Sequence, residues 1–491
     1  MSVGMKTSIA VLNKKGENAV ATVADALKAL YAKESMCFAV ASSSKLVAEK
    51  DVGKLCAYKV RSPIAMGYAS STAPSRDEPE VIKLENSTVI FEGSTYEQSP
   101  KSSELEMIAQ KLRGNSYDLA AAFVRDVEGD FSLTIAESEG IVAARDPVGV
   151  QPLYYGENET LAVLASNRKA LWKLGVVEPK SFPPGHVAIV TQKGFQFTPL
   201  KTLAYQNPKS IPLQEAAETL QCLLESSVQK RVFSVKKVAV AFSGGLDSSV
   251  IAFLAKKCGV EVQLIHVSLE NQPETEEALK AAEELQLPIR VDLFKEADLE
   301  KVISKVVELI EEPDPIKASV GVPFYWTAEK TAKEGFKVLL AGQGADELFG
   351  GYQRYVSEYI AKGDEKVRHT MYGDVINIHE SNIERDEKIC SFHNLDLRLP
   401  FASFELIKFA MSLPTELKFE RKADSLRKLV LRQAARNMGL SKSIAEKPKK
   451  AVQYSTGISN ALKKIAKKQN QTIAEYINRL FKETKNKHEK P

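Results

Sequence analysis

The chain has 491 residues, 44% hydrophobic and 26% charged, with a net charge of +4. That length supports two or three full-sized cores, and no apolar run approaches the ~20 residues of a membrane span. A charge of +4 is too small to point to nucleic acid, and the apolar stretch in Met1–Gly16 is too short for a secretory signal, so a cytoplasmic protein is expected.

Up to about residue 175 the chain reads as short alternating stretches broken by turns, among them "STVIFEGSTY", "GDFSLTIAESEGIVAARD" and "PLYYGENETLAVLAS". This is a β-rich domain with a few helices such as "VADALKALYAK". "KSFPPGHVAIV" reads as a Pro-Gly turn and a strand, and "YQNPKSIPL", Tyr205 to Leu213, as a linker. From Gln214 the pattern changes. "LQEAAETLQCLLESSVQKRV" has helical spacing, and "KKVAVAF", "VQLIHVSL" and "FKVLLAG" are continuous apolar runs suited to parallel strands buried on both faces. Helical segments lie between them, which predicts a doubly wound parallel sheet. After about Tyr352 the reading is mostly helical. Two basic stretches, Lys447–Lys450 and Ala461–Gln471, read as solvated helix faces, with an anionic partner or RNA as the alternative.

Cys37, Cys56, Cys222, Cys258 and Cys390 form no CxxC pair and no histidine stands at metal spacing, which predicts reduced thiols. The sequence contains neither HExxH nor GxxxxGK[ST], which argues against a zinc hydrolase and a P-loop NTPase.

The stretch Ser243-Gly244-Gly245-Leu246-Asp247-Ser248-Ser249 falls where a buried strand ends and a helix begins. Ligands bind at that edge of open α/β sheets. Glycines let the backbone approach a ligand, and the following N–H groups favour an anion. Asp247 beside a phosphate calls for a bridging cation, and Mg²⁺ is the obvious one. The plain alternative is a serine N-cap after a glycine turn. A second stretch, "LLAGQGADELFGGYQRY", repeats the design with Asp346 and Glu347. Together the two loops predict one nucleotide site, with Ser243–Ser249 on the phosphates and Asp247 and Asp346 on Mg²⁺.

"SGGLDSS" is similar to the pyrophosphate loop of the ATP pyrophosphatases. The order "SGGLDSS", "GADELFGGY", "LDLRLPF" resembles the synthetase domain of the asparagine synthetase family. "GDFSLTI", "RDPVGVQPLYYG", "ASNRKAL" and "PGHV" resemble its class II glutamine amidotransferase domain. The resemblance implies α/β plus α+β architecture. Residues 1–204 would form an Ntn-type αββα sandwich, and residues 214–491 an ATP-pyrophosphatase domain with a helical extension. It implies ATP and Mg²⁺ as cofactors and adenylation of a small carboxylate, aspartate first. Ammonia, free or from a separate glutaminase, would then attack. A homodimer is left open; membrane and nucleic-acid partners are not expected.

Residue by residue, Ser243, Gly244, Gly245, Leu246, Asp247, Ser248 and Ser249 match the pyrophosphate loop, and Ala241 and Val267 match positions on the adenosine. Gly342 matches the ligand loop and Asp346 its metal-side aspartate. Arg398 matches an arginine near the substrate carboxylate, with an ion pair to Asp396 as the alternative. Lys450, or Lys449, matches a lysine on the adenylating transition state. Gln343 stands where the family usually has glutamate in "SGEGADE", and a glutamine cannot take a proton.

The amidotransferase set is degenerate. Thr7 holds the place of the nucleophilic N-terminal cysteine, with six residues ahead of it. "FEGSTY" puts Glu92 where an oxyanion-hole asparagine is usual, "MGYASS" lacks the expected arginine, and Ser103-Glu104 replaces Ser-Asp. This predicts a domain without glutaminase activity. Two further readings stay open. One is a β-lactam-synthetase-like cyclase with a Tyr–Glu dyad drawn from Tyr352, Tyr355, Glu380 and Glu384. The other is a silent ATP-binding or scaffolding protein.

Overall fold

The computed structural model describes residues 6–31, 36–56, 60–70, 81–84, 86–96, 115–233, 235–422, 426–448 and 456–489. Contacts divide the chain into two compact units. Met1–Thr202 makes up most of the first, with two short later segments; Leu203–Cys390 and Leu395–Leu480 form the second. Among the described residues, no helix is long and apolar enough to cross a membrane.

The first unit holds a seven-stranded and a six-stranded sheet. Their strands pair antiparallel, yet Lys6–Asn13 is buried at every position after the first. The cause is burial on both faces. Ile9 and Val11 point to a cluster with the helix Ala19–Tyr31, while Ala10 and Leu12 point to a core shared with Ile90, Ala143 and Ala188 of the other sheet. The helix Ser116–Asp126 covers the far side of the six-stranded sheet, where Leu119 and Phe123 meet Phe91 and Phe131. The layering is therefore helix, sheet, sheet, helix.

The second unit is built on a five-stranded parallel sheet. The spatial order is Ile289–Phe294, Glu261–Leu269, Lys237–Ala241, Val338–Leu340, Asp396–Arg398. The chain lays down Lys237–Ala241, adds two strands on one side, then returns to add two on the other. The strand order thus reverses between Lys237–Ala241 and Val338–Leu340, and a crevice opens there at the carboxyl edge. The central strands are apolar because helices cover both faces. These include Leu246–Lys257, Glu274–Leu285 and Pro315–Lys333, the last capped by Asp314, whose carboxylate accepts from the Ile316 and Lys317 N–H groups.

Two strands were not expected. Ile289–Phe294 alternates apolar with charged residues because it is an edge strand, and Asp292 pairs with Arg290 at 3.0 Å and with Lys330 of the helix Pro315–Lys333 at 3.0 Å. Asp396–Arg398 is three residues long inside a helical region, too short for any periodicity.

The turn after Lys237–Ala241 needs glycine on two counts. Gly244 has φ +65°, and a Cβ there would lie 2.6 Å from the Ala278 Cα. Gly244→Ala is expected to cost about 2–4 kcal/mol from backbone strain plus displacement of the helix Glu274–Leu285. Urea unfolding measures it; an unchanged midpoint would mean the loop does not bear on that helix.

Candidate active site

The two glycine loops cap neighbouring strands, since Ala239 pairs with Leu339 and Val240 with Leu340. They also touch: a Cβ on Gly342 would lie 3.1 Å from the Asp247 Cβ. Any larger residue at 342 would push the loops apart.

In the first loop Gly245 caps the helix Leu246–Lys257 without a side-chain bond, so the leading N–H groups of that helix are left for solvent or a ligand. Ser243 is exposed, and the serines brace the turn: Gly245 N–H donates to Ser243 Oγ at 3.3 Å and Ser248 Oγ to the Gly245 carbonyl at 3.3 Å. Ser249 departs from the expectation of a ligand hydroxyl. It is fully buried, with no hydrogen-bond partner for its Oγ among the described residues. Leu246 is buried too, as its place on the inner side of the first helical turn dictates. Ala241 and Val267 both lie toward the carboxyl ends of their strands. Between them His266 ties the strands together, with Nδ1 2.9 Å from the Phe242 carbonyl and Nε2 3.3 Å from Thr275 Oγ1. A carbonyl only accepts, so Nδ1 carries the proton and Nε2 accepts from the threonine. Burial lowers the pKa of this imidazole and keeps it neutral.

Asp247 and Asp346 converge on one point, and that point holds a cation supplied by the chain. Lys428 Nζ lies 2.7 and 2.6 Å from the two Asp247 oxygens and 2.6 Å from Asp346 Oδ1. Its side chain is 1% exposed, and the residue has φ +63° at the start of the helix Leu429–Asn437. Both Asp247 oxygens accept hydrogen bonds from the ammonium, and Asp346 Oδ1 faces it as an ion pair. Carboxylate oxygens suit a hard divalent ion, but the point the pair shares is filled by the Lys428 ammonium, so an ion would bind their outward lone pairs or take the place of the lysine. Lys447 Nζ donates to the Gly244 carbonyl at 2.9 Å and pairs with Glu277 at 3.0 Å. Arg432 binds the Ala445 and Lys447 carbonyls. Lys428, Arg432 and Lys447 line a cleft of ≈ 50 Å³ beside Ser243, Gly245 and Asp247. Lys428 and Arg432 do not stand out in the sequence, where each is one basic residue near or on a mixed helix, and Lys447 is visible only as part of the basic stretch Lys447–Lys450.

In the second loop Gln343 Nε2 donates to Asp386 Oδ2 at 2.5 Å. Asp386 is 0% exposed, and burial raises its pKa while Arg385, bonded to both of its oxygens, opposes the shift. Glu347 is buried and accepts from Tyr352 at 2.6 Å and Asn382 at 2.7 Å, and burial raises its pKa as well. Tyr355 donates to Asp374. Both phenols are thus engaged by carboxylates other than Glu380 and Glu384, and burial holds them protonated.

Arg398 takes the structural role. Its guanidinium binds Asp396, 2.8 Å from Nε and 2.6 Å from Nη2, and donates to the Arg231 carbonyl. Asp396 opens the strand, and Arg231 ends the helix that precedes the sheet, so this side chain runs to the amino edge, away from both loops. Lys449 and Lys450, and Ser71, Ser103 and Glu104 of the amidotransferase-like half, lie outside the described residues.

In the first unit Thr7 is fully buried, accepts from Asn167 Nδ2 at 2.8 Å and is hydrogen-bonded to Tyr31. Ser8 Oγ donates to Glu92 Oε2 at 2.5 Å.

The asparagine synthase family model matches residues 219–363 and 358–488, more than half of the chain and all of both loops. The chain belongs to the asparagine synthase family, a family of carbon–nitrogen ligases. A glutamine amidotransferase domain model matches residues 76–173. A putative glutamine-hydrolysing asparagine synthetase 1 of Methanocaldococcus jannaschii is 33% identical over 392 residues, 70% of this chain and 72% of its own. Glutamine-hydrolysing asparagine synthetases of Sandersonia aurantiaca and Asparagus officinalis are 28% identical over 69% and 72% of this chain, and 66% and 61% of their own length.

Lys428→Met in this synthetase is expected to cost about 3–5 kcal/mol, because it leaves two carboxylates facing each other. Millimolar Mg²⁺ should raise the melting temperature of that variant more than that of the parent; no shift in either would remove Asp247 and Asp346 as metal ligands. For His266, the unfolded imidazole takes a proton near pH 6.5 while the folded one resists it, so stability falls as pH drops below about 6.5. His266→Gln should flatten the fall in melting temperature between about pH 7 and about pH 5.5; an equally steep fall would discharge His266 from that role.

Proposed function

We propose that this chain is an ATP-dependent, AMP-forming amide ligase that adenylates aspartate and condenses the product with ammonia to give asparagine. The observation that carries the reading is the contact of Gly342 with Asp247 where the strand order reverses. It brings open helix N–H groups and two carboxylates within reach of one triphosphate.

Residues 214–491 do the synthetase work. The N–H groups after Gly245 and the Ser243 hydroxyl bind the leaving pyrophosphate and stabilise the negative charge that develops on it. Ala241 and Val267 border the adenosine. A divalent cation held by Asp247 and Asp346 would offset the repulsion between the attacking carboxylate and the α-phosphate. Lys428 keeps those carboxylates apart and aimed at one point, and Lys447 fixes the Gly244 carbonyl and with it the turn. Lys450 or Lys449 would meet the pentavalent phosphorus.

Residues 1–204 supply no nitrogen on this reading. Thr7 lies within a strand, its hydroxyl engaged, and Glu92 brings negative charge next to Ser8 where an oxyanion would need donors. Nitrogen comes from ammonium or from a separate glutaminase.

Pyrophosphate and AMP are expected in equal amounts from ATP, Mg²⁺, aspartate and ammonium, with glutamine unable to replace ammonium. Asp247→Ala should lower turnover at least ~100-fold, and Thr7→Ala should leave it unchanged. Release with another acid and no ammonium would identify an internal cyclisation instead. ATP binding without pyrophosphate release under any of these conditions would overturn the ligase reading.

A further inference from the structure

Gln343 presents an amide where its family usually has a carboxylate, yet a carboxylate is present one shell further out. Asp386 lies on the helix Glu384–Phe392, directly after the π-helical turn His379–Ile383. Arg385 donates from Nε to Asp386 Oδ1 at 2.7 Å and from Nη2 to Oδ2 at 2.9 Å. With a guanidinium donor on each oxygen, both Asp386 oxygens act as acceptors, and Arg385 favours the anion against the upward push of burial. An anion only accepts, so the Gln343 atom turned toward it is the NH₂ group. The two ends of a glutamine amide are alike in shape, and here charge distinguishes them. The carbonyl Oε1 is turned the other way. It has no hydrogen-bond partner among the described residues and is not closed off from solvent.

The arrangement is braced from behind. Arg385 Nη1 reaches Asn382 Oδ1 at 3.4 Å, Asn382 Nδ2 donates to Glu347 Oε1 at 2.7 Å, and Tyr352 donates to the same oxygen. Glu347 sits in the helix Ala345–Phe349, which follows Gln343 in the chain. The network therefore starts and ends on one loop and fixes the direction of one amide.

We propose that Asp386 is a positioning residue: through Gln343 it turns a neutral carbonyl oxygen toward the nitrogen nucleophile, so that the loop orients the nucleophile without taking its proton. This rests on the ligase reading. In the step concerned, the ammonia nitrogen bonds to the acyl carbon. The bond from that carbon to the AMP phosphate oxygen breaks, and its electron pair stays on the phosphate. The surplus nitrogen proton leaves with the phosphate to solvent. Gln343 Oε1 accepts an N–H hydrogen bond throughout and exchanges no proton.

The experiment separates the half-reactions in the full chain. Pyrophosphate release reports adenylation, and amide formed per pyrophosphate reports capture by ammonium. Asp386→Asn lets the Gln343 amide turn over, because asparagine both donates and accepts. Amide per pyrophosphate should fall about tenfold or more, while pyrophosphate release changes by less than about threefold. Gln343→Glu combined with Asp386→Ala puts one carboxylate beside Arg385, and amide per pyrophosphate should return to within about threefold of the parent. An unchanged ratio in Asp386→Asn would overturn the proposal, and so would equal loss of both half-reactions with no recovery in the double variant. A parent that releases no pyrophosphate with any acid would overturn the ligase reading itself.

Discussion

The Lys428 ammonium lies between Asp247 and Asp346, and both glycine loops take their positions from it. Two carboxylates directed at one point repel each other unless a positive charge stands between them. Lys428 is almost fully buried, so its attraction to them is little screened by water. The contact joins three segments that are far apart in sequence: the loop at 243–249, the loop at 342–346 and the start of the helix Leu429–Asn437. That helix adds Arg432, which in turn holds the carbonyl of Lys447, whose own ammonium holds Gly244. A basic wall is thereby closed onto the turn that leaves the leading N–H groups of the helix Leu246–Lys257 open.

Two polar networks divide the work at the carboxyl edge of the sheet. One gathers charge around Asp247 and Asp346. The other runs from Gln343 through Asp386, Arg385 and Asn382 to Glu347 and Tyr352. They meet in a loop of a few residues, with Gly342 on one network and Gln343 on the other. Gln343, on the second network, is where this chain departs from the pattern it resembles.

The first unit has a two-sheet, helix-covered architecture, and Thr7 and Glu92 turn inward in it. Thr7 serves as a buried hydrogen-bond acceptor for Asn167, and Glu92 as a partner for Ser8. Such groups stabilise a strand end, as ordinary core polar residues do.

The apolar runs "KKVAVAF" and "VQLIHVSL" and the glycine corners after Lys237–Ala241 and Val338–Leu340 were legible in the sequence, because burial on both faces leaves a continuous hydrophobic signal and φ > 0 demands glycine. So was the convergence of Asp247 and Asp346, expected there on one Mg²⁺ and met here by the Lys428 ammonium. Lys428, Asp386 and the true partners of Arg398 were not legible. A lysine on an amphipathic helix and an arginine two residues from an aspartate each look ordinary in one dimension. Sequence by itself determined which residue types sit at the strand ends and what charge they carry. Only the tertiary structure decided which distant charge answers them, because a buried ion pair is set by where helices pack against the sheet, and local periodicity holds no record of that.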